Sequence, residues 1–108
     1  MDRQTRFDAV DVGLELVAAL VEVLPRLGAD LRDQVERAAN SVVLNFGEGN
    51  WRMGKDRAYH FRVAGGSANE VDVALRAAVA WRRVSAEEVA HARELCDRAR
   101  ALSWRLSR

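Results

Sequence analysis

NFGEGNWRMGKDRAYHF, residues 45–61, separates two long helical patterns and governs how they are joined. Gly47, Gly49 and Gly54 fall within eight residues, enough backbone freedom to end one helix and turn the chain into the next. The stretch therefore contains an interhelical turn near residue 52. It also sets Asn45, Glu48 and Gly49 on what should be a dry helical seam, and follows them with Trp51 and several cations.

Upstream of the turn, Asp30 is a candidate cap, and Leu31, Val35, Ala38, Val42, Asn45 and Gly49 follow in steps of four and three. Downstream, Phe61, Ala64, Ala68, Val71, Leu75 and Ala78 form one stripe, beside a second made of Val63, Ser67, Glu70, Ala74, Ala77 and Trp81. Two adjacent stripes predict a helix covered on more than one side. Gly65 and Gly66 interrupt it, each at a cost of roughly 1 kcal/mol relative to alanine, which predicts close approach of a neighbouring helix. Nearer the start of the chain, Phe7, Val10, Leu14, Val17, Val21 and Leu24 recur at the same spacing, with Thr5 and Asp8 as a capping box and Pro25 and Gly28 as a stop. Leu16, Leu20 and Val23 lie beside that seam. A fourth seam runs through Val89, Ala92, Leu95, Ala99, Leu102 and Leu106, behind a capping box at Ser85 and Glu88. Arginines end this helix and acids begin it, which complements its dipole. The expectation is a single all-α domain over residues 1–108, an antiparallel up-down-up-down four-helix bundle with helices at about 6–24, 30–49, 55–82 and 86–106.

A chain of 108 residues fits one domain, and a low aromatic fraction (6%) with a single proline argues against sheet. The net charge of +1 excludes the strongly basic class of nucleic-acid proteins but hides a gradient. Residues 1–24 carry five acids against two arginines, and residues 81–108 carry seven arginines against four acids. Sixteen of the seventeen basic side chains are arginine, the cation suited to bidentate pairing and stacking, although GC-rich coding produces the same bias. One cysteine, Cys96, excludes an internal disulfide. The start of the sequence lacks a signal-peptide pattern, and Glu15 and Glu22 break the most apolar region, so a cytoplasmic protein with no membrane partner is expected.

The polar seam residues come in two pairs. Asn45 and Glu48 lie three apart on one helix, Ser67 and Glu70 three apart on the next, and an antiparallel hairpin brings the pairs to comparable heights. With Gly49 they are expected to form an inward-facing structural network, with Arg52 or Arg62 neutralising the carboxylates. A metal site built on Glu48, Glu70, Glu88 and His91 is the competing reading. It lacks the second Glu-x-x-His motif that a dinuclear bundle site requires, so no metal or other cofactor is expected. Cys96 lies five residues after His91, turned about 140° around a helix, which rules out a nucleophilic dyad. No phosphate loop or dinucleotide fingerprint occurs.

Ala38-Ala39-Asn40-Ser41, then Asn45-Phe46-Gly47-Glu48-Gly49, then Phe61, Arg62, Ala64, Gly66-Ser67 and Glu70 form a pattern. It resembles the four-helix-bundle family first noticed as open reading frames in intervening sequences of bacterial large-subunit ribosomal RNA genes, which also includes the accessory variability determinant protein of diversity-generating retroelements. Asn45, Glu48, Gly49, Ser67 and Glu70 fall on the family's recurrent positions, while Phe46 and Gly47 replace its more usual aliphatic and alanine pair. The resemblance implies a ring-shaped homopentamer and, for the retroelement branch, a basic surface for nucleic acid and a reverse transcriptase. The near-neutral charge departs from that strongly basic branch.

Assembly also has support in the residues themselves. Trp51, Trp81 and Trp104 stand near helix ends, where they either cap the bundle or form an oligomer interface. Cyclic symmetry repeats any cluster of Arg52, Lys55, Arg57 and Arg62 once per subunit, so a weakly basic chain presents a basic ring. The sequence-level expectation is a non-catalytic homo-oligomeric scaffold that binds RNA or DNA, or a nucleic-acid enzyme, through those four cations. A partner-binding adaptor without nucleic-acid affinity is the alternative.

Overall fold

A computed structural model describes residues 3–108, the first six of these by backbone only. Four α-helices follow in order: α1 (Arg3–Leu20), α2 (Ala29–Trp51), α3 (Gly54–Ala80) and α4 (Ala86–Leu106), with a short 3-10 turn at Leu24–Arg26. No strand occurs among the described residues. Each helix packs on its neighbours in the chain, and α1 closes against α4. Short connections force antiparallel neighbours. Cross-helix pairs agree, since Ser41 meets Ser67 while Asn45 meets His60, and Glu15 faces Arg98 while Arg26 faces Glu88. The bundle measures 42 × 21 × 18 Å, and the 27 residues of α3, about 40 Å at 1.5 Å per residue, run its full length.

The Phe61–Ala78 stripe of α3 and the seam of α4 are buried throughout, whereas the second α3 stripe buries only Ala74 and leaves Glu70 and Trp81 exposed. Ser85 caps α4 as the sequence suggests: its hydroxyl accepts from the Glu88 N–H, and the Glu88 carboxylate accepts from the Ser85 N–H. That backbone bond, followed by Arg26, holds the Glu88 carboxyl below the usual carboxylate range.

Helix α1 differs from expectation. Its buried face is Ala9, Val12, Leu16 and Leu20, whereas Leu14 is 52% exposed and Val21 61% exposed; the Phe7 side chain lies outside the described residues. Both faces of this helix are apolar, so spacing alone could not choose between them. The choice follows from Gly13, buried beside Val12, where a Cβ would come within 3.1 Å of Val43 Cγ2. Close approach of α2 at that glycine turns Leu16 and Leu20 inward and Leu14 outward. The helix also stops at Leu20 instead of Leu24, because Pro25 has no N–H to donate to the Val21 carbonyl four residues back and its ring crowds that carbonyl, so Pro25 is taken up in a separate 3-10 turn. At its start it is already helical at Arg3, ahead of Thr5.

Two further boundaries differ. Gly28, at φ 88°, is the N-cap of α2, and Asp30 sits in the first turn, where it accepts from Arg83. Helix α2 continues through Gly47 and Gly49 to Trp51, so the turn occupies residues 52 and 53, and of the three glycines Gly54 alone takes a positive φ. At the other end of the bundle Arg83 donates to the Leu27 carbonyl at 2.8 Å and to Asp30 at 3.0 Å. One guanidinium thereby ties the α1–α2 connection to the α3–α4 connection.

Candidate functional site

Polar groups run along the α2–α3 seam in a continuous chain. Asn45 Nδ2 donates to the Ser41 carbonyl and hydroxyl, both at 3.0 Å, and Ser67 Oγ donates to Ser41 Oγ at 2.7 Å. His60 Nδ1 lies 2.8 Å from Asn45 Oδ1, and with the amide nitrogen turned to Ser41 the imidazole is the donor. The four side chains are half-buried, so each bond is partly shielded from water and fixes the register of the hairpin. Asn45 and Ser67 meet through Ser41. His60, fifteen residues from Asn45 in sequence, completes the chain.

Glu48 and Glu70 do not join it. Both are exposed, and the expectation that they face inward is corrected. Their positions lie at the edge of the seam, where a long side chain reaches water without leaving its helix. Glu48 instead pairs with Arg52 at 3.3 Å, and Arg52 pairs on its other side with Asp56 at 2.9 Å. Arg52 thus bridges the last turn of α2 and the first turn of α3. Gly49 is buried for a packing reason: a Cβ there would stand 2.7 Å from Phe61 Cδ1 and nearer still to Cε1.

The four predicted cations do not form one patch. Arg52 is compensated by two carboxylates, while Lys55, Arg57 and Arg62 form no ion pair among the described residues. At about 100° per residue Lys55 and Arg62 share a face of α3, and Arg57 is turned about 140° from Arg62. Nor do the three tryptophans meet. Trp51, 88% exposed, and Trp104 lie toward the end of the bundle that holds the α2–α3 turn, and Trp81 lies at the other. Arg83 stacks over Trp81 at 5.6 Å, and Arg108 over Trp104 at 5.8 Å.

Arg62 opens instead onto a cleft of about 570 Å³ between α3 and α4, which it lines with Arg100, Trp104 and Arg108 over a floor of Gly65 and Gly66. The two glycines differ. A Cβ at Gly65 would lie 2.6 Å from Ser103 Cβ, in a tight helix crossing where Ser103 Oγ donates to the Phe61 carbonyl at 2.6 Å. A Cβ at Gly66 would meet no atom within 4 Å, so close approach of a helix accounts for the first glycine and not the second.

Below the cleft, Asp72 is a carboxylate only 5% exposed, bound by Arg93 Nε at 2.7 Å and approached by Arg100 Nη1 at 3.6 Å. Arg100 is further engaged by Asp97 and by Asn69. Sequence reading passed over Asp72, although its spacing of four from Ala68 and three from Leu75 puts it on the buried side of α3. Asp72→Asn keeps an acceptor for Arg93 Nε–H but loses the carboxylate charge that both guanidiniums face, so a loss of about 1–3 kcal/mol is expected. Urea unfolding with unchanged m-value would measure it.

Elsewhere the chemistry is sparse. Burial pushes the Cys96 thiol up to about 12, which leaves it protonated and unreactive at neutral pH. Glu88 is committed to Ser85 and Arg26, and among the described residues no group of three or more His, Cys, Asp or Glu is arranged to hold a metal ion. No helix among the described residues is long and apolar enough to cross a membrane.

The fold and seam define an antiparallel four-helix protein whose central hairpin is locked by amide, hydroxyl and imidazole groups. The chain belongs to the 23S rRNA-intervening sequence protein family, which matches residues 8–104. No curated protein and no solved structure matches it.

Proposed function

We propose that this chain is a non-catalytic homo-oligomeric helical scaffold that binds nucleic acid, a nucleic-acid enzyme such as a reverse transcriptase, or both. The observation that carries this reading is the α3–α4 cleft, whose charged lining is entirely arginine in a chain of net charge +1. Arg100 is compensated by Asp97 and Asp72, but Arg62 and Arg108 form no ion pair among the described residues and concentrate positive potential locally, which is what phosphate recognition needs and what whole-molecule charge conceals.

Assembly as a ring, pentameric by the family resemblance, belongs to the same proposal. Trp51, Met53 and Tyr59 are exposed around the α2–α3 turn, and Leu14 on α1 and Val21 just beyond its end are exposed beside Glu15 and Glu22. Two apolar patches at different places on one chain, one flanked by Lys55 and the other by acids, suit head-to-tail contacts that close into a ring.

Binding by phosphate neutralisation has a definite salt signature. Raising salt from about 50 to about 200 mM should weaken single-strand affinity roughly sevenfold for each cleft that neutralises two phosphates. Anisotropy titration of a labelled oligonucleotide measures this, and absence of binding at low salt overturns the nucleic-acid reading. Sedimentation tests the assembly: a species of 12.1 kDa at micromolar concentration overturns it.

A further inference from the structure

We infer that the α3–α4 cleft is a single-strand site in which one unpaired base stacks on Trp104 while Arg62 and Arg108 hold the phosphates on either side. This rests on the nucleic-acid reading above and names the part of the molecule that performs it. Trp104 lines the cleft and is 68% exposed, so most of its flat apolar surface is not used by the bundle. The Arg108 guanidinium lies over the same indole at 5.8 Å, so cation and ring already form one composite platform.

The cations around that platform differ in what they are free to do. Arg100 is held by Asp72, Asp97 and Asn69, which fixes it as part of the wall. Among the described residues neither Arg62 nor Arg108 forms an ion pair, and the Arg108 guanidinium lies over the indole. Those two retain unspent donors for phosphate oxygens, and among the described residues no carboxylate lines the cleft, Asp97 and Asp72 being engaged by Arg100.

The floor gives the shape. Gly66 sits within α3 where alanine would be more stable by about 1 kcal/mol, and no neighbour needs the space that its missing Cβ leaves. Its effect is to keep the floor bare beside Trp104, where a planar base can approach the helix backbone. Charge alone would suit an acidic peptide equally well. An exposed aromatic side chain and a bare glycine lining one cleft favour a base, and a duplex, whose bases are already stacked on each other, cannot supply one.

The test uses the full chain and labelled oligouridylate at low salt. Trp104→Ala should weaken binding roughly tenfold or more, the scale of one base–aromatic stack, and Trp104→Phe should retain most of the affinity. Gly66→Leu should also weaken it without lowering the melting temperature. Trp81→Ala, at the far end of the bundle, should leave it unchanged. An abasic strand of equal charge should bind the wild type no better than oligouridylate binds Trp104→Ala. Oligonucleotide binding that persists unchanged in Trp104→Ala overturns this site while leaving the nucleic-acid reading intact, and no binding by any variant ends both. Competition by polyglutamate as strong as by oligouridylate reduces the cleft to a general anion site and overturns the inference, as does dissociation of the oligomer on Trp104→Phe.

Discussion

Phe61→Ala is expected to destabilise the bundle by about 3–5 kcal/mol, the usual cost of truncating a fully buried phenylalanine. The site has little capacity to collapse around the loss. Phe61 is completely buried, its ring lies 6.2 Å from that of Phe46 at a tilt of 48°, and Gly49 backs it directly. Its carbonyl also accepts the Ser103 hydroxyl, so the residue joins α2, α3 and α4 at one level. Tilted aromatic pairs add roughly 0.5–1.5 kcal/mol beyond burial, which places the change toward the upper half of the range. Chemical denaturation of the two proteins measures it, and a loss under about 2 kcal/mol would mean that the hairpin end is packed more loosely than the structure describes.

The parts of this molecule that were legible in its sequence are those fixed by one local rule. The α3 stripe from Phe61 to Ala78, the α4 seam and the Ser85–Glu88 box each depend on spacing within a single helix, and each lies where the spacing puts it. Helix α1 defeated the same rule because Leu14 and Leu16 open two apolar faces, and the choice between them is made by Val43 on another helix. The polar seam was half legible. Asn45 and Ser67 are too short to leave the interface and must find partners there, whereas Glu48 and Glu70 occupy equivalent positions with side chains long enough to reach solvent. His60 escaped notice because its bond to Asn45 crosses the turn and depends on the register that the turn sets. The arginine cleft could not be read at all. Arg62 and Gly66 come from α3, Trp104 and Arg108 from the end of the chain, and no spacing rule connects them.

Glycine substitutions in α2 should separate conformational cost from packing cost, because the same change two residues apart has opposite expected signs. Gly47 is helical and a Cβ there meets no atom within 4 Å, so Gly47→Ala should stabilise by about 0.5–1 kcal/mol through helix propensity alone. Gly49→Ala gains the same propensity and loses more. Its Cβ would stand 2.7 and 2.9 Å from two atoms of the Phe61 ring and nearer to a third, and the ring, fully buried, has no free space to enter. Overpacking of this kind outweighs the propensity gain, and a net loss of about 2–3 kcal/mol is expected. The cause can be isolated by a double-mutant cycle. Phe61→Leu removes the ring atoms that the new methyl meets, so the two substitutions together should cost less than the sum of their separate effects, with a coupling of at least about 1 kcal/mol. Strict additivity would mean that Gly49 is demanded by backbone geometry and not by the ring, and would remove the packing account of why a glycine stands on this seam.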